Sequence, residues 1–158
     1  MADGEEKTRE KKIRRVEDMP VYQMFYSLAL EVEKASRQYP RDFLWLRTQS
    51  LRSSESVCAN MTEGFYSQYS TEYLQSLYRC RREARETMTH IHYARDVKML
   101  EKTVAESLLS QYEATLCQLS NLIAGIENKI RLRGKFKPGI GVIKEESADY
   151  QSLINHSY

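Results

Sequence analysis

The chain of 158 residues is poor in the residues that break or cross-link a fold: three prolines, six glycines and three cysteines. No apolar run approaches the roughly 18 residues of a membrane span, which argues against a bilayer-crossing helix. The opening Met1-Ala-Asp-Gly-Glu-Glu-Lys7 carries charge and no apolar stretch, unlike a secretion signal. These absences predict a cytoplasmic protein with no membrane role. Cys58, Cys80 and Cys117 form an odd set without a C-x-x-C pair. They read as small buried thiols, not as disulfides or metal ligands. The sequons Asn60-Met-Thr62 and Asn155-His-Ser157 read as chance in a chain without a secretion signal. Also missing are the Glu-x-x-His of di-iron bundles, a glycine-rich phosphate loop, a nucleophile elbow and a His-Glu-x-x-His metal motif. Glu63 is the one candidate inward carboxylate, and it lacks an obvious counterpart. No metal, no cofactor and no catalytic residue are therefore expected.

What is present is helical periodicity. Residues 1–19 are dominated by charge, with acids and bases in balance, and read as a solvated, disordered arm. Asp18 followed by Pro20 marks a helix start. Val21, Met24, Phe25, Leu28, Val32 and Ala35 then recur at spacings of three and four. Tyr39-Pro40 closes that helix. A second begins near Asp42 and carries Leu44, Leu51, Ser54, Val57, Cys58, Met61 and Phe65, with Trp45 and Leu46 beside the stripe. Gly64 and the polar run Ser67–Ser70 mark its end. Ser70 or Thr71 is placed to cap a third helix, which buries Tyr73, Leu77, Cys80, Ala84, Met88, Ile91 and Ala94.

The break that follows has neither glycine nor proline, and Thr103-Val-Ala-Glu106 matches a capping box. Val104, Leu108, Tyr112, Leu116, Leu119, Ile123, Ile126 and Ile130 form the seam of a fourth helix, with Gly134 as its stop. Nothing reads as a strand. The expected fold is an all-α, antiparallel up-down four-helix bundle over residues 20–133, followed by a flexible tail at 134–158.

Net charge is modest, at +2, but its placement is uneven. Arg79, Arg81, Arg82 and Arg85 fall within seven residues of the third helix. At about 100° per residue, Leu74, Tyr78, Arg81, Arg82, Arg85, Thr89 and His92 share one flank. Guanidinium groups with Tyr78 and His92 interleaved suit phosphates and stacked bases. The competing reading is a solvated face in which Arg79 pairs with Glu83 and Arg82 with Glu86. A second basic stretch, Lys129, Arg131, Arg133, Lys135 and Lys137, follows the fourth seam. It complements a helix C-terminus and would also suit electrostatic capture of RNA or DNA. Arg85-Glu-Thr-Met-Thr-His90 has the Arg-x4-His spacing that resembles the active-site motif of HEPN-type ribonucleases, where the histidine transfers protons and the arginine steadies phosphate.

The segment Ser56-Val-Cys-Ala-Asn60-Met-Thr-Glu63-Gly64-Phe65 resembles the S-[IV]-x-A-N-I-A-E-G-F signature of a bacterial four-helix-bundle family. That family includes proteins encoded in 23S rRNA intervening sequences and the accessory variability determinant (Avd) proteins of diversity-generating retroelements. Val21-Tyr-Gln23, Leu28-Ala-Leu30, Glu72-Tyr-Leu74 and Leu77 extend the resemblance across residues 20–130. The resemblance implies an antiparallel bundle that assembles as a ring-shaped homopentamer. For the Avd branch it implies a non-catalytic accessory that holds a reverse transcriptase and its template RNA through basic surface; for the intervening-sequence branch the alternative is a bundle with a structural or RNA-binding role only. It gives Asn60 and Glu63 a structural role, bonding to backbone near the helix end. It gives Gly64 a close approach or a positive φ. Arg79, Arg81, Arg82 and Glu83 depart from the family, which has small or apolar residues there.

Overall fold

The structure is a computed structural model that describes residues 13–135. Among the described residues it contains four α-helices: α1 (Pro20–Ser36), α2 (Leu44–Phe65), α3 (Ser70–Asp96) and α4 (Lys102–Lys135). Single 3-10 turns at Val16–Asp18 and Arg41–Phe43 precede α1 and α2. Each helix packs on its sequence neighbours, and α1 closes the ring on α4, while the backbones of diagonal helices stay apart. This is the up-down four-helix bundle that short connections favour. No described helix is long and apolar enough to cross a membrane.

The core is assembled from the expected stripes. All seven residues expected of α3 are buried, and so are Val21, Phe25, Leu28 and Val32 of α1. On α4, Leu108 through Ile126 of the seam are buried, whereas Val104 is 39% exposed in the first turn. Leu44 and Trp45 are exposed as well, because they sit in the first turn of α2, where Trp45 meets Tyr93 edge to face.

The pairing of α2 with α3 is the closest in the bundle. Small residues make it so: Ser53 and Gly64 on α2 meet Thr87 and Ser76 on α3, and Ser50, Cys80 and Ala84 are buried as well. Their hydroxyls are satisfied locally. Ser50 Oγ donates to the Leu46 carbonyl at 2.8 Å, and Thr87 Oγ1 donates to Ser53 Oγ at 2.8 Å. Paired in this way, buried polar groups avoid the cost of lost hydration.

Several expectations are corrected. Residues 13–19 are not a solvated arm. Ile13, Val16 and Met19 are buried at a spacing of three, which a 3-10 turn places on one side. The Asp18 carboxylate accepts the backbone N–H of Arg14 and Arg15, and the Tyr73 hydroxyl donates to Met19 Sδ. Residues 1–12 lie outside the described residues. Ser70 is the first residue of α3, and Tyr69 precedes it as an N-cap without a side-chain bond. Thr103 lies inside α4 and donates to Glu101 Oε1, so no Thr103–Glu106 capping box forms. Gly134 does not stop α4, which runs on to Lys135. The tail from residue 136 lies outside the described residues. Cys58 and Cys80 are buried free thiols, but Cys117 is exposed.

The unsignalled break after α3 has a clear geometry. Lys98 takes a left-handed φ of 62°. The Met99 N–H then bonds to the Ala94 carbonyl at 2.8 Å, and the Lys98 N–H to the Arg95 carbonyl at 3.0 Å. These are the two bonds of a Schellman motif, with lysine where glycine is usual.

Candidate nucleic-acid interface

The arginine-rich turns of α3 lie between α2 and α4, and the neighbours decide which guanidinium groups face solvent. Arg52 of α2 reaches over to α3, bonding to Glu86 and lying 3.8 Å from the Glu83 carboxylate. Glu83 is buried, and its Oε2 accepts no hydrogen bond. The inward carboxylate is therefore Glu83, and Glu63 is exposed. Glu83 sits one helical turn from Cys80 on the buried stripe, a spacing that could have revealed it.

This arrangement breaks both pairs of the solvated-face reading. With Glu86 bound to Arg52, Arg82 keeps only a 4.0 Å approach to Glu83, and its side chain is 72% exposed. Arg79 pairs instead with Glu63 of α2 at 3.6 Å. Arg81 is exposed, with its guanidinium 5.2 Å from the centre of the Tyr78 ring. A cation over an aromatic face presents a flat, charged surface suited to a base or phosphate.

Toward α4 the charge is partly compensated. Arg85 Nη1 bonds to Glu113 at 2.5 Å, and the Tyr78 hydroxyl bonds to Glu127. That bond to the Glu127 carboxylate raises the Tyr78 pKa, so the phenol stays a donor. His92 is exposed about two turns beyond Arg85 on the same flank.

The contacts of Arg85 with Glu113 and of Tyr78 with Glu127 set α4 antiparallel to α3. Arg131 lies one turn beyond Glu127 on the same face of α4 and donates to Asn128 Oδ1 at 2.7 Å. Lys129 and Arg133 are half-buried and project toward the other side of α4. The helix backbone continues to Lys135, and Lys137 lies outside the described residues. Arg131 therefore lies toward the α3 flank, with Glu127 between it and Tyr78.

The Arg85 and His90 pair is not brought together. Arg85 turns to Glu113 on α4, whereas His90 Nε2 lies 3.6 Å from Glu86, the residue tied to Arg52 of α2. Five residues of helix rotate the two positions about 140° apart, so they point to different neighbours.

The signature residues divide by role. Asn60 Nδ2 donates to the Ser56 carbonyl at 2.7 Å, one turn back in its own helix. Glu63 accepts no backbone hydrogen bond among the described residues and holds Arg79. Gly64 has no positive φ, and its role is close approach. A Cβ built there would lie 2.6 Å from Ser76 Cβ and 2.8 Å from the Tyr73 ring.

Fold, signature and arginine-bearing third helix together define a small all-helical bundle with a basic flank. The chain matches the family model of the 23S rRNA-intervening sequence protein over residues 17–121. It belongs to that family. No curated protein matches it in sequence.

Proposed function

We propose that this protein is a non-catalytic bundle that binds RNA through the exposed flank of α3 and the last turns of α4. One observation carries the reading. Arg52 draws Glu83 and Glu86 toward α2, and this leaves Arg81 and Arg82 turned to solvent beside the Tyr78 ring. Membership of the 23S rRNA-intervening sequence protein family supports an RNA-related role. A non-catalytic role is supported by the divergence of Arg85 from His90.

In its finer form, the protein assembles as a homopentamer and presents template RNA, or an RNA/DNA hybrid, to a reverse transcriptase. That form rests on the resemblance of the segment ending Asn60-Met-Thr-Glu63-Gly64 to the Avd proteins. An accessory of this kind needs a charged surface to position nucleic acid and leaves the chemistry to its partner.

The test is fluorescence anisotropy with a labelled single-stranded RNA over a salt series. Arg81→Glu/Arg82→Glu should lose binding, and its log-log salt dependence should flatten by about 0.7 for each phosphate contact removed. Unchanged affinity and slope would refute the interface. For the nuclease alternative, metal-independent RNA cleavage abolished by His90→Ala would overturn the non-catalytic reading. Mass photometry that finds only monomer at micromolar concentration would remove the pentamer.

A further inference from the structure

A second surface lies on the other side of the bundle. α1 packs less closely on α2 than α3 does. Between α1 and α2 runs a cleft of about 680 Å³, lined by Tyr22, Tyr26, Leu30, Leu51, Cys58 and Ala59. Tyr26 and Leu30 are half exposed, at 51% and 55%, and the Tyr22 and Tyr26 rings stack at its mouth with centroids 6.0 Å apart. Monomeric proteins seldom leave so continuous an apolar strip in water. Its rim is acidic. Glu17 lies near the mouth and Glu55 lines the wall, and neither has an ion-pair partner among the described residues.

We propose that residues 136–144 of this same chain occupy the cleft. The segment reads Phe136-Lys-Pro-Gly-Ile140-Gly-Val-Ile-Lys144. It supplies Phe136, Ile140, Val142 and Ile143 as apolar groups, has lysines at 137 and 144, and contains no acid. The residues beyond it turn acidic, with Glu145, Glu146 and Asp149, and the cleft's own carboxylates would repel them. Charge therefore selects the stretch that fits, with Lys137 and Lys144 each near one rim acid.

Chain geometry permits the placement. The contact of Tyr78 with Glu127 puts the end of α4 beside the start of α3, and the contact of Tyr73 with Met19 puts the start of α1 at the same end. The segment thus leaves Lys135 at the end of the bundle where Glu17 and Tyr22 open the cleft. Nine extended residues reach up to roughly 30 Å. The helix rise from Glu17 to the level of Glu55 is about 18 Å.

Disulfide trapping in the full chain tests this, with Cys117→Ser to remove the exposed thiol. Ala59→Cys/Val142→Cys places one thiol in the cleft and one in the segment. Asn121→Cys/Val142→Cys places the first on an exposed position of α4, about 21 Å of helix before Lys135 and within reach of the segment, as a control. Under mild oxidation the cleft pair should close within one chain at least about tenfold faster than the control, because docking raises the effective concentration. Adding Glu17→Lys/Glu55→Lys should remove that advantage. Equal rates for the two pairs, or no bond at all, would overturn the proposal. A bond that forms only between chains would overturn it in favour of a second copy as the occupant.

Discussion

A Cβ added to Gly64 would stand 2.6 Å from the Cβ of Ser76 across the α2–α3 seam. Neither atom is the end of a flexible side chain, so relief requires the helices to part. Alanine gains about 1 kcal/mol of helix propensity over glycine. Overpacking a tight seam costs about 1–3 kcal/mol. Gly64→Ala is therefore expected to destabilise the fold on balance. Gly134 is the contrast, since a Cβ there meets nothing within 4 Å. Gly134→Ala should gain helicity at no packing cost. Urea unfolding and far-UV circular dichroism of the two variants check the opposite signs.

Lys98 is held at a φ of 62° by the Schellman bonds that end α3. A left-handed residue with a Cβ costs about 1–2 kcal/mol, and glycine does not bear that cost. Offset by the larger entropy of glycine in the unfolded chain, Lys98→Gly should raise stability by up to about 1 kcal/mol. Lys98→Val should lower it, because a β-branched residue is worse still in this region. Thermal melts of the two variants and the parent order the three.

The cysteines predict both a reactivity and a pH response. Burial, with the charge of Glu55 adding to it, pushes the Cys58 thiol up to about 12. Burial also pushes Cys80 up, and its Sγ donates to the Val57 carbonyl at 3.2 Å. In the native protein one thiol, Cys117, should react quickly with a maleimide, and the other two only on unfolding. Mass spectrometry of a labelling time course reads this directly.

The same two thiols bind their protons more tightly folded than unfolded. Their contribution is complete below the unfolded value of 9.0 and is lost as pH rises from there toward about 12. Each group contributes a slope of about 1.4 kcal/mol per pH unit. Tyr112, raised by burial in the core, acts in the same direction. Urea midpoints measured from pH 8 to 11 should fall, and a Cys58→Ala/Cys80→Ala variant should show a shallower decline.

The acids of α4 restrain the basic flank. Glu113 holds Arg85, and Glu127 holds the Tyr78 hydroxyl. Glu113→Gln should free Arg85 and tighten RNA binding by a few fold at low salt, an effect of about 1 kcal/mol. Glu127→Gln should act likewise. Arg79→Ala should change binding little, since Arg79 is already engaged by Glu63. Anisotropy titrations at two salt concentrations distinguish these variants.

Much of the fold was legible because period and burial obey a local rule. The stripes of α1, α3 and α4 and the Pro20 start followed from spacing alone. The start of α2 is less apolar in its contacts than its leucines and tryptophan suggest. Its outer leucine and tryptophan are exposed, and serines 50 and 53 carry the contact, because a close helix pair selects for small volume over hydrophobicity. The turn at Lys98 left no signal, since its left-handed conformation is imposed by hydrogen bonds and not by a glycine.

For the interface, sequence alone determined which residues are basic and which flank of α3 they share, because helical rotation is the same for every helix. Only the tertiary structure decided which of them are spoken for. Arg52, Glu63, Glu113 and Glu127 come from other helices, and their reach across the seams depends on register and on the close approach at Gly64. These contacts leave two compensated edges, Arg79 toward α2 and Arg85 toward α4, with an open surface at Arg81 and Arg82 between them.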